Sequence, residues 1–191
     1  MRTHGSSLRH DPVSMSQARR AFAARPFAAL IATGFGAGLS PVAPGTAGSL
    51  VGLAAAWFLA SHGSIVGSPV GLLMSGLAVA AAGVPISTRA CRGLGAKDPG
   101  CVVIDEVAGQ LLSSSPVPLF LYPSRAASAG LWLFSFLAFR FFDIVKPGVV
   151  RRIQALPEGL GVVVDDVLAG FLAAGATAVV GWIVSGGRPW S

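Results

Sequence analysis

Two pairs of neighbouring carboxylates, each at the start of an apolar run, are the residues best suited to chemistry in this sequence. Asp105 and Glu106 lie in the string VVIDEVAG, and Asp165 and Asp166 lie in the similar string VVVDDVLAG. The dipole of a helix favours acids in its first turn, which would explain one pair. Four carboxylates close together repel one another unless a cation bridges them. Because Mg²⁺ prefers oxygen ligands, we expect these four side chains to hold magnesium.

A second group of charged residues, in the string FRFFDIVKP, has the spacing of one side of a helix end. Arg140, Asp143 and Lys146 follow one another at intervals of three, and Pro147 is expected to end the helix. Basic residues also anchor helices at membrane surfaces, but Asp143 fits that role poorly. An arginine and a lysine flanking an acid favour phosphate binding beside a metal. These three residues are the catalytic candidates, with Asp143 as a fifth metal ligand or the general base.

The glycine-rich string GFGAGLSPVAPGTAGS, residues 34–49, allows two interpretations. Small residues let membrane helices approach closely. Its prolines also leave some backbone N–H groups outside helical hydrogen bonds, and a glycine-rich turn leading into a helix can cradle an anion. On the second interpretation the candidate phosphate-binding residues are Ser40, Gly45, Thr46 and Ser49.

The composition indicates a protein whose exterior faces lipid. Hydrophobic residues make up 53% of the chain and charged residues 12%, whereas soluble domains carry about 25% charged residues. The net charge of +6 could indicate a nucleic-acid partner, but the basic residues flank apolar runs and do not interleave with aromatics. We therefore expect no nucleic-acid partner. The three histidines are scattered, so a histidine metal site is not expected.

The hydropathy pattern predicts an all-α fold, a polytopic transmembrane helical bundle with about five spans. A span needs about 20 apolar residues. The sequence divides into a polar, basic tail at 1–26, expected to be disordered, and a single transmembrane catalytic domain at 27–191. The first apolar stretch, 27–39, is short and glycine-rich and is expected to form a half-helix or re-entrant segment. The five predicted spans are 47–61, 65–86, 102–121, 126–142 and 162–184.

The basic residues predict the orientation of these spans. With five crossings and a cytoplasmic amino terminus, all 14 lysines and arginines except Arg125 and Arg188 lie on the cytoplasmic side, as the positive-inside rule requires. Both acid pairs then lie at the cytoplasmic face. A small cation channel or transporter is the alternative function, although such proteins usually bind ions near the membrane midplane. A non-catalytic membrane subunit is a third possibility, and it would have no need of the acids.

These strings, in their order along the chain, resemble the phosphatidylglycerophosphatase A family of bacterial inner-membrane lipid phosphatases. The resemblance covers about residues 30–175. It implies magnesium-dependent hydrolysis of phosphatidylglycerophosphate to phosphatidylglycerol and phosphate, in the inner membrane and in glycerophospholipid synthesis. The chain departs from the family pattern at Ile104, where tryptophan is frequent, and at Val149, where a second proline is usual.

The expected chemistry is hydrolysis of a phosphate ester at the cytoplasmic surface. The four paired acids would hold one or two Mg²⁺ ions, and Arg140 and Lys146 would neutralise the phosphate. The nucleophile is either a water with a lowered pKa or an aspartate that forms a covalent phosphoenzyme. Neither Cys91 nor Cys101 lies in a phosphate-binding loop, which argues against a cysteine nucleophile.

Overall fold

The chain forms a bundle of helices in a computed structural model that describes residues 26–63, 65–94, 99–120, 125–146 and 158–187. Across these ranges there is no β-strand, in agreement with the predicted all-α class. Short 3₁₀ turns lie at Ala37–Leu39, Ile65–Gly67 and Val117–Phe120. The α-helices are α1 (Pro26–Ala32), α2 (Pro44–Ser61), α3 (Pro69–Leu94), α4 (Ile104–Ser114), α5 (Arg125–Val145) and α6 (Glu158–Val184).

Three of the helices are long and apolar enough to cross a membrane. They are α3, over Pro69–Arg92, α5, over Ser128–Val145, and α6, over Gly159–Val184. The predicted spans at 47–61 and 102–121 correspond to α2 and to α4 with the turn that follows it. Helix α4 has 11 residues, a rise of about 16 Å, against a hydrocarbon core of about 30 Å. The structure therefore supports a membrane protein, while the count of five spans stays a prediction.

The stretch at 27–39 forms a half-helix followed by a tight turn. Helix α1 has seven residues, about 10 Å of rise, which is too short to cross a bilayer. The turn after it holds three successive residues with positive φ, at Gly34, Phe35 and Gly36. The backbone N–H of Val103 donates to the carbonyl of Ala32 at 2.8 Å. This hydrogen bond fastens the end of α1 to the segment that leads into α4.

Helix α4 lies at the centre of the bundle, packed against α2, α3 and α6. Its approach to α6 depends on two glycines. A methyl group on Gly170 would lie 2.6 Å from the backbone oxygen of Gly109, and a methyl group on Gly109 would run into the Phe139 ring. Each glycine follows an acid of the repeated strings, Asp105 or Asp166, by four residues. The two parallel helices thus touch one turn beyond their carboxylates, which brings those carboxylates together.

Helix α2 packs on α4 through its own small residues. A methyl group on Gly48 would lie 2.6 Å from Cβ of Val103, and one on Gly52 would lie 2.8 Å from Cβ of Gln110. Gly48 belongs to the glycine-rich string, so for this glycine the helix-packing interpretation is correct. The polar tail predicted at 1–26 lies, except for its last residue, outside the described residues, and the division into domains stays a prediction.

Candidate active site

Three carboxylates from two helices form the centre of the site. Asp105 and Glu106 come from the first turn of α4, and Asp166 comes from the third turn of α6. One carboxylate oxygen from each of the three lies within 4.8 Å of the others. Asp105 and Asp166 are each only 4% exposed, so their side chains point into the bundle and away from lipid. A group of this kind has the ligand atoms and the spacing that a divalent cation requires.

The surroundings of Glu106 fit such a cation. Its Oε2 atom is buried and accepts no hydrogen bond from the described part of the chain, and its Oε1 atom lies so close to Gly45 that a methyl group there would clash with it. Asp105 and Asp166 each place a carboxylate oxygen within 4.8 Å of a Glu106 oxygen, and carboxylates this close repel one another. A bound cation would offset both effects, since it supplies a partner for the oxygen and opposes the repulsion between carboxylates.

The two acids of the second pair have different partners. Lys146 Nζ donates a hydrogen bond of 2.5 Å to Oδ2 of Asp165 and lies 3.9 Å from Oδ1 of Asp143. Burial lowers the pKa of Lys146, but the hydrogen bond to Asp165 and the surrounding carboxylates outweigh it, so the net shift is upward and the ammonium stays charged. Asp165, predicted as a metal ligand, is therefore placed with Lys146, while Asp166 joins the three-carboxylate group.

The end of α5 brings the predicted basic residues to the carboxylates. Arg140 Nη1 donates to Oδ2 of Asp143 at 2.6 Å and to Oγ of Ser49 at 3.3 Å. The carboxyl of Asp143 also lies close enough to that of Asp166 for the two charges to repel. Helix α5 ends at Val145, and Lys146 has a φ of 43°. Pro147 itself lies outside the described residues. A proline disfavours helical backbone at the residue before it, which here is Lys146.

The start of α2 completes the site from the glycine-rich string. The helix begins at Pro44, and the N–H groups of Gly45 and Thr46 lie in its first turn, where a helix offers no carbonyl acceptor. Ser49 Oγ donates to the carbonyl of Gly45 at 2.9 Å and accepts the bond from Arg140. Ser40 is different, because its hydroxyl donates to the carbonyl of Val42 at 2.8 Å, within its own turn.

The sequence did not lead us to predict a buried polar network that lies next to this site. Gln110, one turn beyond Glu106, donates to Oγ of Ser114 at 2.9 Å, and Ser114 lies 3.2 Å from Oγ of Ser135. All three are fully buried. The network ties α4 to α5, the helix that carries Arg140. The sequence signal was the string QLLSSS, whose polar residues fall within a predicted apolar span.

The fold and the site together define a class, that of helical membrane proteins with a buried acidic centre beside basic side chains, an arrangement suited to phosphate esters. The family model for Phosphatidylglycerophosphatase A matches residues 30–181. The chain belongs to this family and is a phosphatase, an enzyme of phosphatidylglycerol biosynthesis.

Two named relatives agree with this assignment, and a third has the name of another lipid phosphatase. The chain is 34% identical to Phosphatidylglycerophosphatase A of Haemophilus influenzae, over 75% of this chain and 82% of the relative. It is 31% identical to Phosphatidylglycerophosphatase A of Escherichia coli, over 80% and 82% of the two chains. A Bacteroides thetaiotaomicron protein with the provisional name phosphatidylinositol-3-phosphatase is 35% identical over 81% of this chain and 94% of its own length. No solved structure matches the chain.

Proposed function

We propose that the protein hydrolyses phosphatidylglycerophosphate to phosphatidylglycerol and phosphate with the aid of Mg²⁺. The observation that supports this most strongly is the meeting of Asp105, Glu106 and Asp166 within 4.8 Å of one another, in a member of the phosphatidylglycerophosphatase A family. These three carboxylates would hold the metal, which when bound supplies Lewis-acid stabilisation of the phosphoryl oxygens.

The other side chains bind and orient the phosphate monoester. Lys146, held by Asp165, and Arg140, held by Asp143 and Ser49, present positive charge beside the carboxylates. The N–H groups of Gly45 and Thr46, and the Ser49 hydroxyl, add donors to the phosphate oxygens. Asp143 lies among Arg140, Lys146 and Asp166 and takes the proton of the attacking water as general base. Ser40 contributes indirectly to phosphate binding, because the hydrogen bond from its hydroxyl to the carbonyl of Val42 shapes the turn before α2.

The site is proposed to face the cytoplasm at the inner membrane, in a chain that crosses five times. The support is the distribution of basic residues, since that orientation leaves only Arg125 and Arg188 outside. The acyl chains of the substrate would stay in the bilayer between helices while its phosphate reaches the carboxylates. Two of the five crossings would be made by α2 and by α4 with the segment that follows it.

Phosphate release from purified protein in detergent micelles tests the proposal. Phosphatidylglycerophosphate with Mg²⁺ should release phosphate, and a chelator should abolish the release until Mg²⁺ is restored in excess. Phosphatidylinositol 3-phosphate is the second candidate substrate, because of the provisional name of the Bacteroides thetaiotaomicron relative, and it belongs in a parallel arm. Faster turnover of the inositol lipid would replace the proposed substrate. No phosphate from either lipid would contradict the proposal.

A further inference from the structure

The segment from α1 to the start of α2 carries an outward surface that is apolar and uncharged. Residues 26–43 contain no Asp, Glu, Lys or Arg. Phe27 is 82% exposed, Phe35 75% and Val42 77%. The inner side of the same segment is buried against the bundle, as at Ala32. We name the outer set the interfacial surface; its members are Phe27, Leu30, Ile31, Phe35 and Val42.

This surface lies at the level of the acidic centre. The hydrogen bond between Val103 and Ala32 holds the end of α1 two residues before Asp105. A methyl group on Gly38 would run into the backbone of Cys101, so the turn after α1 is also pressed against this segment. The interfacial surface is therefore fixed in depth relative to the carboxylates.

Water is a poor environment for this surface, and a membrane crossing is geometrically excluded. Seven helical residues rise about 10 Å, so α1 reaches only part of the way into one leaflet. The membrane helices also expose apolar side chains, for example at Leu137 and Phe141 of α5. The bulky residue Phe35 keeps a φ of 59°, a backbone region that such residues seldom adopt, and its ring points outward.

We propose that the interfacial surface inserts into the acyl-chain boundary of the leaflet on the side of the acidic centre. Amphipathic helices that lie at a membrane surface bury their apolar face about 5–10 Å into this boundary. Insertion sets the carboxylates at the depth of the headgroups, where a phosphate monoester on a membrane lipid is presented. This consequence rests on the proposed function, whereas the insertion itself does not.

The depth of Phe35 can be measured without any enzyme assay. Single cysteines at Phe35, at Leu137 as a lipid-facing reference and at His62 as an exposed reference would carry a nitroxide, in vesicles of phosphatidylethanolamine and phosphatidylglycerol. Both native cysteines are buried, and labelled unsubstituted protein gives the background. The label at 35 should collide with oxygen in preference to a water-soluble nickel chelate, as at Leu137. Preference for the chelate would overturn the proposal, and so would protection from both reagents, which would indicate a second copy of the chain on this surface.

A kinetic comparison tests the consequence for the substrate. Asparagine tolerates positive φ better than phenylalanine does, so Phe35→Asn removes the ring without adding backbone strain. We expect the KM for long-chain phosphatidylglycerophosphate in vesicles to rise about ten-fold, with turnover of a short-chain, water-soluble analogue unchanged.

Ile65→Asn is the matched control, since Ile65 is 89% exposed in the turn after the far end of α2. Equal losses on both substrates, or no change in KM, would contradict the consequence. Inactivity of the unsubstituted protein on both substrates would refute the proposed function and leave the depth measurement to decide the surface.

Discussion

At the scale of single residues, the neighbouring acids Asp165 and Asp166 have different partners. Asp165 binds the Lys146 ammonium, whereas Asp166 lies with Asp105 and Glu106. Adjacent residues on a helix point about 100° apart, so one side chain meets the end of α5 while the next meets α4. We propose that these similar side chains thereby take different roles, Asp165 in holding Lys146 at the phosphate and Asp166 in binding the metal.

A matched pair of substitutions separates these roles. Asp166→Asn should weaken binding of Mn²⁺, used as a probe for Mg²⁺. Loss of a residue that only supports a metal ligand costs up to about 10², so loss of the ligand itself should reduce turnover by at least about 10². Asp165→Asn should leave Mn²⁺ affinity nearly unchanged and reduce turnover through Lys146. Titration calorimetry and phosphate release measure the two effects. Equal loss of Mn²⁺ affinity in both variants would instead identify Asp165 as a metal ligand.

Lys146 should be distinguishable from basic residues that serve as membrane anchors. An ammonium beside the phosphoryl group acts where charge develops in the transition state, and losing one such donor costs about 10²–10³ in rate. Lys146→Met should lose activity on that scale. Arg151 and Arg152 follow Pro147 in the sequence, beyond the expected end of the helix, where membrane anchoring is enough to explain them. Paired Arg151→Gln and Arg152→Gln substitutions should therefore retain most of the activity in micelles without anionic lipid. Similar losses in both proteins would indicate only a general need for positive charge.

At the scale of elements, small residues determine how closely the acid-bearing helices approach. Gly109 and Gly170 let α4 and α6 touch through backbone, and Gly48 and Gly52 do the same for α2 and α4. The carboxylates lie about one turn from these contacts. A wider helix crossing would separate Asp105 from Asp166 and remove the geometry a cation needs. The packing interpretation of the glycine-rich string is thus compatible with the proposed anion binding, since Gly48 packs and other residues of the string would bind the phosphate.

Adding one methyl group at the α4–α6 crossing should damage both stability and metal binding. Gly170→Ala places Cβ 2.6 Å from the backbone oxygen of Gly109, and overpacking of this kind costs about 1–3 kcal/mol. The midpoint temperature of thermal unfolding in detergent and the affinity for Mn²⁺ should both fall. Gly175→Ala on the same helix is the control, because its Cβ would meet nothing within 4 Å. Unchanged Mn²⁺ affinity in Gly170→Ala would show that the crossing does not set the site.

At the scale of the whole molecule, the bilayer and the charge distribution determine where the site faces. In the described part of the chain three helices are long and apolar enough to span, and the positive-inside rule assigns the basic carboxyl ends of α3 and α5 to the cytoplasmic side. A site built from the starts of α2 and α4 and the end of α5 needs those ends on the same side. The interfacial surface beside it is consistent with a position at headgroup depth.

Reporter fusions measure this topology. Fusions after residues 63, 95, 124, 155 and 190 should report external, cytoplasmic, external, cytoplasmic and external positions, because that order keeps nearly all lysines and arginines inside. An external reading at 95 or 155 would place the predicted motifs on opposite faces and would contradict the cytoplasmic site. A chain that crossed only three times, through α3, α5 and α6, would give a cytoplasmic reading at residue 63 or at residue 124.

The sequence by itself determined the class of the protein and the residue types of its site. Composition alone required a lipid-facing exterior, and two acid pairs in a chain with only 8 acidic residues predicted where a metal would bind. Spacing of three placed Arg140, Asp143 and Lys146 together, because helical periodicity is local. The family could be recognised from ordered strings for the same reason: each string is short and contiguous.

Only the tertiary structure decided which partners the side chains take. The pairing of Asp165 with Lys146, the closeness of Gly45 to Glu106 and the Gln110–Ser114–Ser135 network join residues on different helices. The helical period says which residues share a face, but the rotation and separation of two helices depend on the packing of their side chains. In this protein those quantities are set by glycine contacts such as Gly109 with Gly170, where a missing side chain lets backbone meet backbone and brings the carboxylates together.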